Sequence, residues 1–96
     1  MARVELSAAA VEDLDTLIRS HSLPRDTRER VQRSVRPLGR FPLLGAPLTG
    51  RWSGLRFVLG PWRWMVLVYV HLDADRVVIV TIQDGRSSRF TSPTDR

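Results

Sequence analysis

Three arginines bracket the most apolar stretch of the chain: Arg56 ahead of it, Arg63 at its entry and Arg86 just past its exit. Guanidinium groups bind phosphate oxygens bidentately and offset charge developing at phosphorus, so three of them converging at a sheet margin would suit a phosphodiester. Trp62 and Trp64 flank Arg63 and read as facing opposite ways, so only one can lie beside such a site. That one could stack on a base, at about 1–3 kcal/mol; Trp64 reads as core, and Trp62, at a turn, is open to either role. The side chains that carry protons near neutral pH are His21 and His71. His21 reads as a solvent-exposed helix cap, His71 as a structural residue closing a strand, and Asp84 as a turn residue rather than a base. All 15 basic residues are arginine, which stays protonated, so no lysine is available as a general base. The chain has no cysteine, and neither histidine has a metal-ligand partner at usable spacing. No metal and no cofactor is therefore expected.

The elements that must position these groups are legible from apolar patterning. Arg63–Leu72 and Val77–Ile82 are β-rich runs joined by a polar turn at Asp73, Ala74 and Asp75. The first run is apolar on both faces, which predicts a central strand covered on both sides. Arg3–Leu6 alternates polar and apolar and suits a short first or edge strand. Ser7 reads as an N-cap, with Glu12 and Asp13 favouring the helix dipole. Ala10, Leu14, Leu17 and Ile18 form one stripe, predicting a helix from about Ala8 to Ser20 that ends before Leu23-Pro24. Asp26 and Glu29 resemble a capping box that opens a second helix. That helix carries Val31, Val35 and Leu38 inward and Arg28, Arg30, Arg33 and Arg36 outward, and ends near Pro37. Leu38 to Gly50 is loop, with Trp52 anchoring it to the core. Arg86 to Phe90 reads as a last short strand, and residues 91–96 as a frayed tail.

The chain has 96 residues, enough for one small core, so a single domain over residues 1–90 is expected. No run is long and apolar enough for a membrane span, and acids interrupt any signal-peptide pattern. A reducing cytoplasm is the expected compartment. The net charge of +5 is uneven: residues 30–72 hold seven arginines and no acid, while the flanking segments together carry a small acidic excess. A basic middle third raises the local concentration of polyanions such as nucleic acid, and serves equally to dock an acidic protein.

The ordered wording of loop and strands resembles the RelE/ParE superfamily of bacterial toxins. The run Leu38, Pro42, Gly45, Leu48 and Gly50 matches a loop pattern of that superfamily. Leu55-Arg56 and the turn Gly60-Pro61-Trp62-Arg63 follow, then the two apolar strands, then Arg86 four residues before Phe90. The resemblance implies an α+β fold in which an N-terminal strand and a helical hairpin pack on a small antiparallel sheet. It also implies a toxin held silent by a cognate antitoxin. In the RelE branch such proteins cleave messenger RNA on the ribosome, using the RNA 2′-hydroxyl as nucleophile without metal. Carried over residue by residue, the resemblance gives Arg56, Arg63 and Arg86 as the catalytic set. Arg51, Trp62, Arg89 and Phe90 are the candidates for RNA binding. Phe90 lacks the hydroxyl of the tyrosine common at that position, and Val58 stands where a second basic residue is frequent. These departures are what would be expected of a different branch, ParE, which shares the fold and poisons DNA gyrase without catalysis, or of a degenerate toxin that serves mainly in its antitoxin complex. The retained Arg56, Arg63 and Arg86 and the acid-free middle third make message cleavage the leading expectation.

Overall fold

Apolar side chains on both faces make β4 (Met65–Asp73) the centre of the fold. A computed structural model of the chain describes residues 1–86. The strand expected from Arg86 to Phe90 lies, past Arg86, outside the described residues, as do Arg89, Phe90 and the tail 91–96. Met65, Leu67 and Tyr69 of β4 pack into one hydrophobic cluster, Val66 and Val68 into another on the opposite side, all of them buried. A strand that buries both faces must have neighbours on both edges. Here β3 (Arg56–Leu59) and β5 (Arg76–Asp84) flank it, both antiparallel. The short β2 (Ala46–Pro47) extends the sheet beyond β3, and β1 (Arg3–Leu6) lies beyond β5 in the order β1-β5-β4-β3-β2. The turn Ala74-Asp75 closes the β4–β5 hairpin, with the Asp75 N–H donating to Asp73 Oδ1 at 2.8 Å. One refinement to the expected antiparallel sheet is that β1 runs parallel to β5, Val4 beside Val77 and Leu6 beside Ile79. The helical hairpin after β1 carries the chain over one face of the sheet, as a crossover must.

Helix α1 (Ala8–Ser20) has the bounds its stripe predicts. Ser7 caps it: the hydroxyl oxygen accepts the Ala10 N–H at 3.0 Å and donates to the Val80 carbonyl at 3.1 Å. That second bond exists because β5 bulges. The register passes from Val68–Thr81 to Tyr69–Ile79, so Val80 is the extra residue and the ladder is broken around it. Asp13, read from sequence as a dipole charge, lies too deep for the first turn. Its Oδ2 instead accepts the Thr81 hydroxyl at 2.6 Å and the Ile82 N–H at 3.2 Å. Helix and bulge thus satisfy each other's backbone.

Helix α2 (Thr27–Val35) starts where expected but without the capping box, since Asp26 makes no side-chain cap bond. The Asp26 carboxylate pairs with Arg30 Nε at 3.0 Å, and the buried Thr27 hydroxyl donates to the Pro24 carbonyl at 2.6 Å. Arg36–Gly39 then tightens into a 3-10 turn around Pro37. Ala10, Leu14, Val31, Val35 and Leu38 bury against Met65, Leu67, Tyr69, Val77, Ile79 and Ile82. Each large apolar side chain so buried contributes about 1.5–3 kcal/mol. The exposed Arg28–Asp15 ion pair between the helices is worth under about 1 kcal/mol, so packing fixes the hairpin. On the opposite face Leu48, Trp52 and Leu55 cover Val66 and Val68, the anchoring expected of Trp52.

The loop before β2 is clamped by Tyr69. Its phenol, fully buried, accepts the Gly45 N–H at 2.9 Å and donates to the Pro42 carbonyl at 2.7 Å. A Cβ at Gly45 would lie 2.5 Å from the Phe57 carbonyl oxygen and 2.7 Å from the Tyr69 ring, so only glycine fits. Removing the phenol oxygen leaves a buried N–H and a carbonyl without partners. Tyr69→Phe should therefore cost about 1–3 kcal/mol, and Gly45→Ala more, because backbone must move. Urea unfolding midpoints of the three proteins check the order; Tyr69→Phe as stable as wild type would remove the clamp from this account.

Candidate functional site

The turn from β3 to β4 is built by Gly60 and Trp62. The Gly60 N–H donates to the Met65 carbonyl and the Met65 N–H to the Trp62 carbonyl, both at 2.9 Å. Strand β4 therefore begins at Met65, two residues later than the sequence suggested, and Trp62, Arg63 and Trp64 belong to the turn. Freed from strand geometry, the two tryptophans do not face opposite ways. They stack on each other with ring centroids 6.3 Å apart and planes at 25°. Both pack against the helix-side core. The Arg30 guanidinium of α2 sits 5.7 Å from the Trp62 ring.

At the far side of Trp64 three more groups assemble. His21, the C-cap of α1, stacks on the Trp64 ring at 4.6 Å and 16°. The Arg86 guanidinium lies 4.8 Å from the same ring. Asp84 joins the two: its Oδ2 takes His21 Nε2 at 3.1 Å and Arg86 Nη2 at 3.2 Å, while Oδ1 takes the Arg86 N–H at 2.9 Å and its Nε at 3.1 Å. The hydrogen bonds from Arg86 outweigh partial burial and hold the Asp84 carboxyl at about 2, below its ordinary 3.8. The same pairing raises Arg86 further above its ordinary value. Asp84 is thus ionised at any working pH and can only accept. His21 is the exposed cap the sequence suggested, and both its ring nitrogens are engaged as well, Nδ1 with Ser20 Oγ at 2.8 Å.

The arginines expected to converge divide between one end of the sheet and its middle. Arg63 and Arg86 share the end marked by the β3–β4 turn, since Asp84 pairs with Met65. Arg56 pairs with Tyr69, four residues further along β4, or about 13 Å of strand. Its Nη1 donates to the Gly45 carbonyl at 2.7 Å and the Leu43 carbonyl at 3.3 Å, so this guanidinium braces the loop that Tyr69 clamps. The sequence reading missed this because it ordered the arginines along the chain without a register. Arg63 is exposed and makes no hydrogen bond or ion pair with any described residue. Arg51 is exposed in the 3-10 turn Gly50–Trp52. Val58 packs partly buried on the helix-side core, and His71 is exposed at the opposite end of β4 from Arg63. Among the described residues no three His, Cys, Asp or Glu side chains come together as a metal would need.

No protein-family model matches the sequence. No curated protein matches it either. Solved structures do. The chromosomal ParDE toxin–antitoxin system of P. aeruginosa superposes with a TM-score of 0.66 at 16% identity, over 88% of this chain and 96% of that one. The RelBE2 toxin–antitoxin complex of Mycobacterium tuberculosis gives 0.62 at 27% identity, over 86% and 96%. YafQ from E. coli gives 0.63 at 16% identity, over 95% and 100%. The chain has the fold of RelE/ParE-type toxins, as its loop-and-strand pattern suggested.

The depressed Asp84 carboxyl makes a statement about stability. A carboxyl with a folded value below its unfolded one stabilises above about pH 4, and the contribution disappears as pH falls towards 2. Wild type should therefore be more stable than Asp84→Asn near neutrality, and the gap between their denaturant midpoints should close over that acid range. A gap that stays constant down to about pH 2 would mean that the pair carries no linkage.

Proposed function

We propose that the protein is the toxin of a toxin–antitoxin pair and arrests growth by metal-independent, ribosome-dependent cleavage of messenger RNA in the cytoplasm. The observation that carries this reading is the basic and aromatic end of the sheet, where the turn holding the exposed Arg63 also carries the stacked Trp62 and Trp64, with Arg86 beside Trp64. A phosphodiester lying across this end meets Arg63 first. Its guanidinium binds two phosphate oxygens and offsets the charge that builds as the 2′-oxygen attacks phosphorus. Arg86, held by Asp84, supplies a second cation at fixed position. Arg56 contributes from a distance, by bracing the loop.

An antitoxin partner is part of this reading. Between α1, α2 and β1 runs a cleft of about 460 Å³, apolar along Val4, Leu6, Leu14 and Val35, with Arg28 and Arg36 also lining it. An amphipathic acidic segment of an antitoxin suits that lining. A second function, gyrase inhibition without catalysis, is favoured by one observation: two of the three arginines, Arg56 and Arg86, are already engaged within the protein.

Toxin freed of its antitoxin, added to a cell-free translation reaction, should produce new message ends inside translated codons. Arg63→Ala should melt like wild type, because the side chain has no described partner, and lower the cutting rate on the order of 10²-fold. Folded toxin that stops growth but cuts no message would replace this reading with the gyrase one, tested by supercoiling.

A further inference from the structure

The ribonuclease reading, as the residues resemble it, lacks a proton carrier. We propose that His21, acting through the Ser20 hydroxyl, takes the proton of the RNA 2′-hydroxyl during cleavage. The inference rests on the function proposed above and names the group that serves that same site.

The geometry assigns the protons. An ionised Asp84 only accepts, so the His21 nitrogen facing it, Nε2, bears hydrogen. In the neutral ring Nδ1 then presents a lone pair, and the Ser20 hydroxyl donates to it over 2.8 Å. Ser20, His21 and Asp84 thus form a hydroxyl–imidazole–carboxylate chain, in which the imidazole can draw the proton from the hydroxyl as that oxygen receives another. Trp64, stacked at 4.6 Å, fixes the ring plane. The carboxylate end of the chain is shared with Arg86, the second cation of the proposed site, and the Ser20 hydroxyl lies across the imidazole from it. Ser20 is exposed, so an RNA strand on this end of the sheet can reach it.

The step balances as follows. The 2′-hydroxyl proton passes to Ser20 Oγ as the proton of Ser20 passes to His21 Nδ1. The 2′-oxygen bonds to phosphorus, the bond from phosphorus to the 5′-oxygen breaks, and the departing oxygen takes a proton from water. The imidazolium then returns its proton to the hydroxide so formed, leaving a 2′,3′-cyclic phosphate and a 5′-hydroxyl. Asp84 stabilises the imidazolium in between. The charged groups around the ring are Asp84 in contact, Arg86 on the same carboxylate, and Arg30 beyond Trp62.

The test is the message-cutting rate of antitoxin-free protein in the translation reaction, followed across pH. Wild type should slow on the acid side of its pH profile, as a reaction that depends on a general base does. His21→Gln should lower the rate on the order of 10²-fold or more and abolish that acid limb. Ser20→Ala leaves the Trp64 stack and the Asp84 bond intact and should show the same loss, which keeps the test decisive should His21→Gln unfold. Wild type that cuts while both variants cut equally fast, or cut slowly with the acid limb unchanged, overturns the role of His21 and leaves the ribonuclease reading standing. Folded wild type that cuts nothing overturns both.

Discussion

A buried hydroxyl has to be satisfied where it lies, and the architecture turns on one such group. Tyr69 sits in the middle of the central strand, fully buried, and its oxygen needs a donor and an acceptor within the protein. Both come from the segment ahead of β2, through Gly45 and Pro42. That segment must therefore press onto the sheet, which forbids a side chain at Gly45 and brings the Gly45 carbonyl to Arg56. Leu48, three residues on, is then delivered to the other face of the sheet, over Val66 and Val68. One phenol fixes the loop, the loop closes the second core, and an arginine that could have met a ligand is spent holding it.

The same central strand separates structure from chemistry along its length. Around Tyr69 the sheet is wrapped on both faces. That cover reaches Met65 and is lost at His71 to Asp73; just ahead of Met65 the aromatic rings of the turn continue it, with Trp62, Trp64 and His21 stacked in series and Arg30 and Arg86 alongside. Each stacked pair adds about 0.5–1.5 kcal/mol beyond its burial. The stack joins both helices to the sheet at the Met65 end of the core, and it orients the imidazole and guanidinium that border it.

Much of the scaffold was legible because it is encoded locally. The Ser7 cap and the stripe Ala10, Leu14, Leu17 and Ile18 placed α1 to the residue, and the two-faced apolar run of β4 identified the centre of the sheet. The loop pattern through Leu38, Pro42, Gly45, Leu48 and Gly50 pointed to the right fold, and the structure gives physical reasons for parts of it: buried leucines, a carbonyl for a phenol, a glycine with no room for Cβ. What escaped the sequence depends on register and on distant pairing. The bulge at Val80 moves Asp13 from a dipole charge to a backbone acceptor. The start of β4 at Met65 turns two tryptophans from opposed to stacked. His21 and Asp84 stand 63 positions apart, and no period or motif links a helix end to a turn at that range.

The two margins of the sheet are unlike. On one side β2 spans two residues, one of them Pro47, which lacks an amide hydrogen. On the other β1 offers a four-residue strand, hydrogen-bonded to β5 along a single side among the described residues. A proline-bearing stub cannot template another chain, whereas a regular strand can. Among the described residues, then, the sheet is blunt at β2, and β1 is the margin at which a further strand can pair.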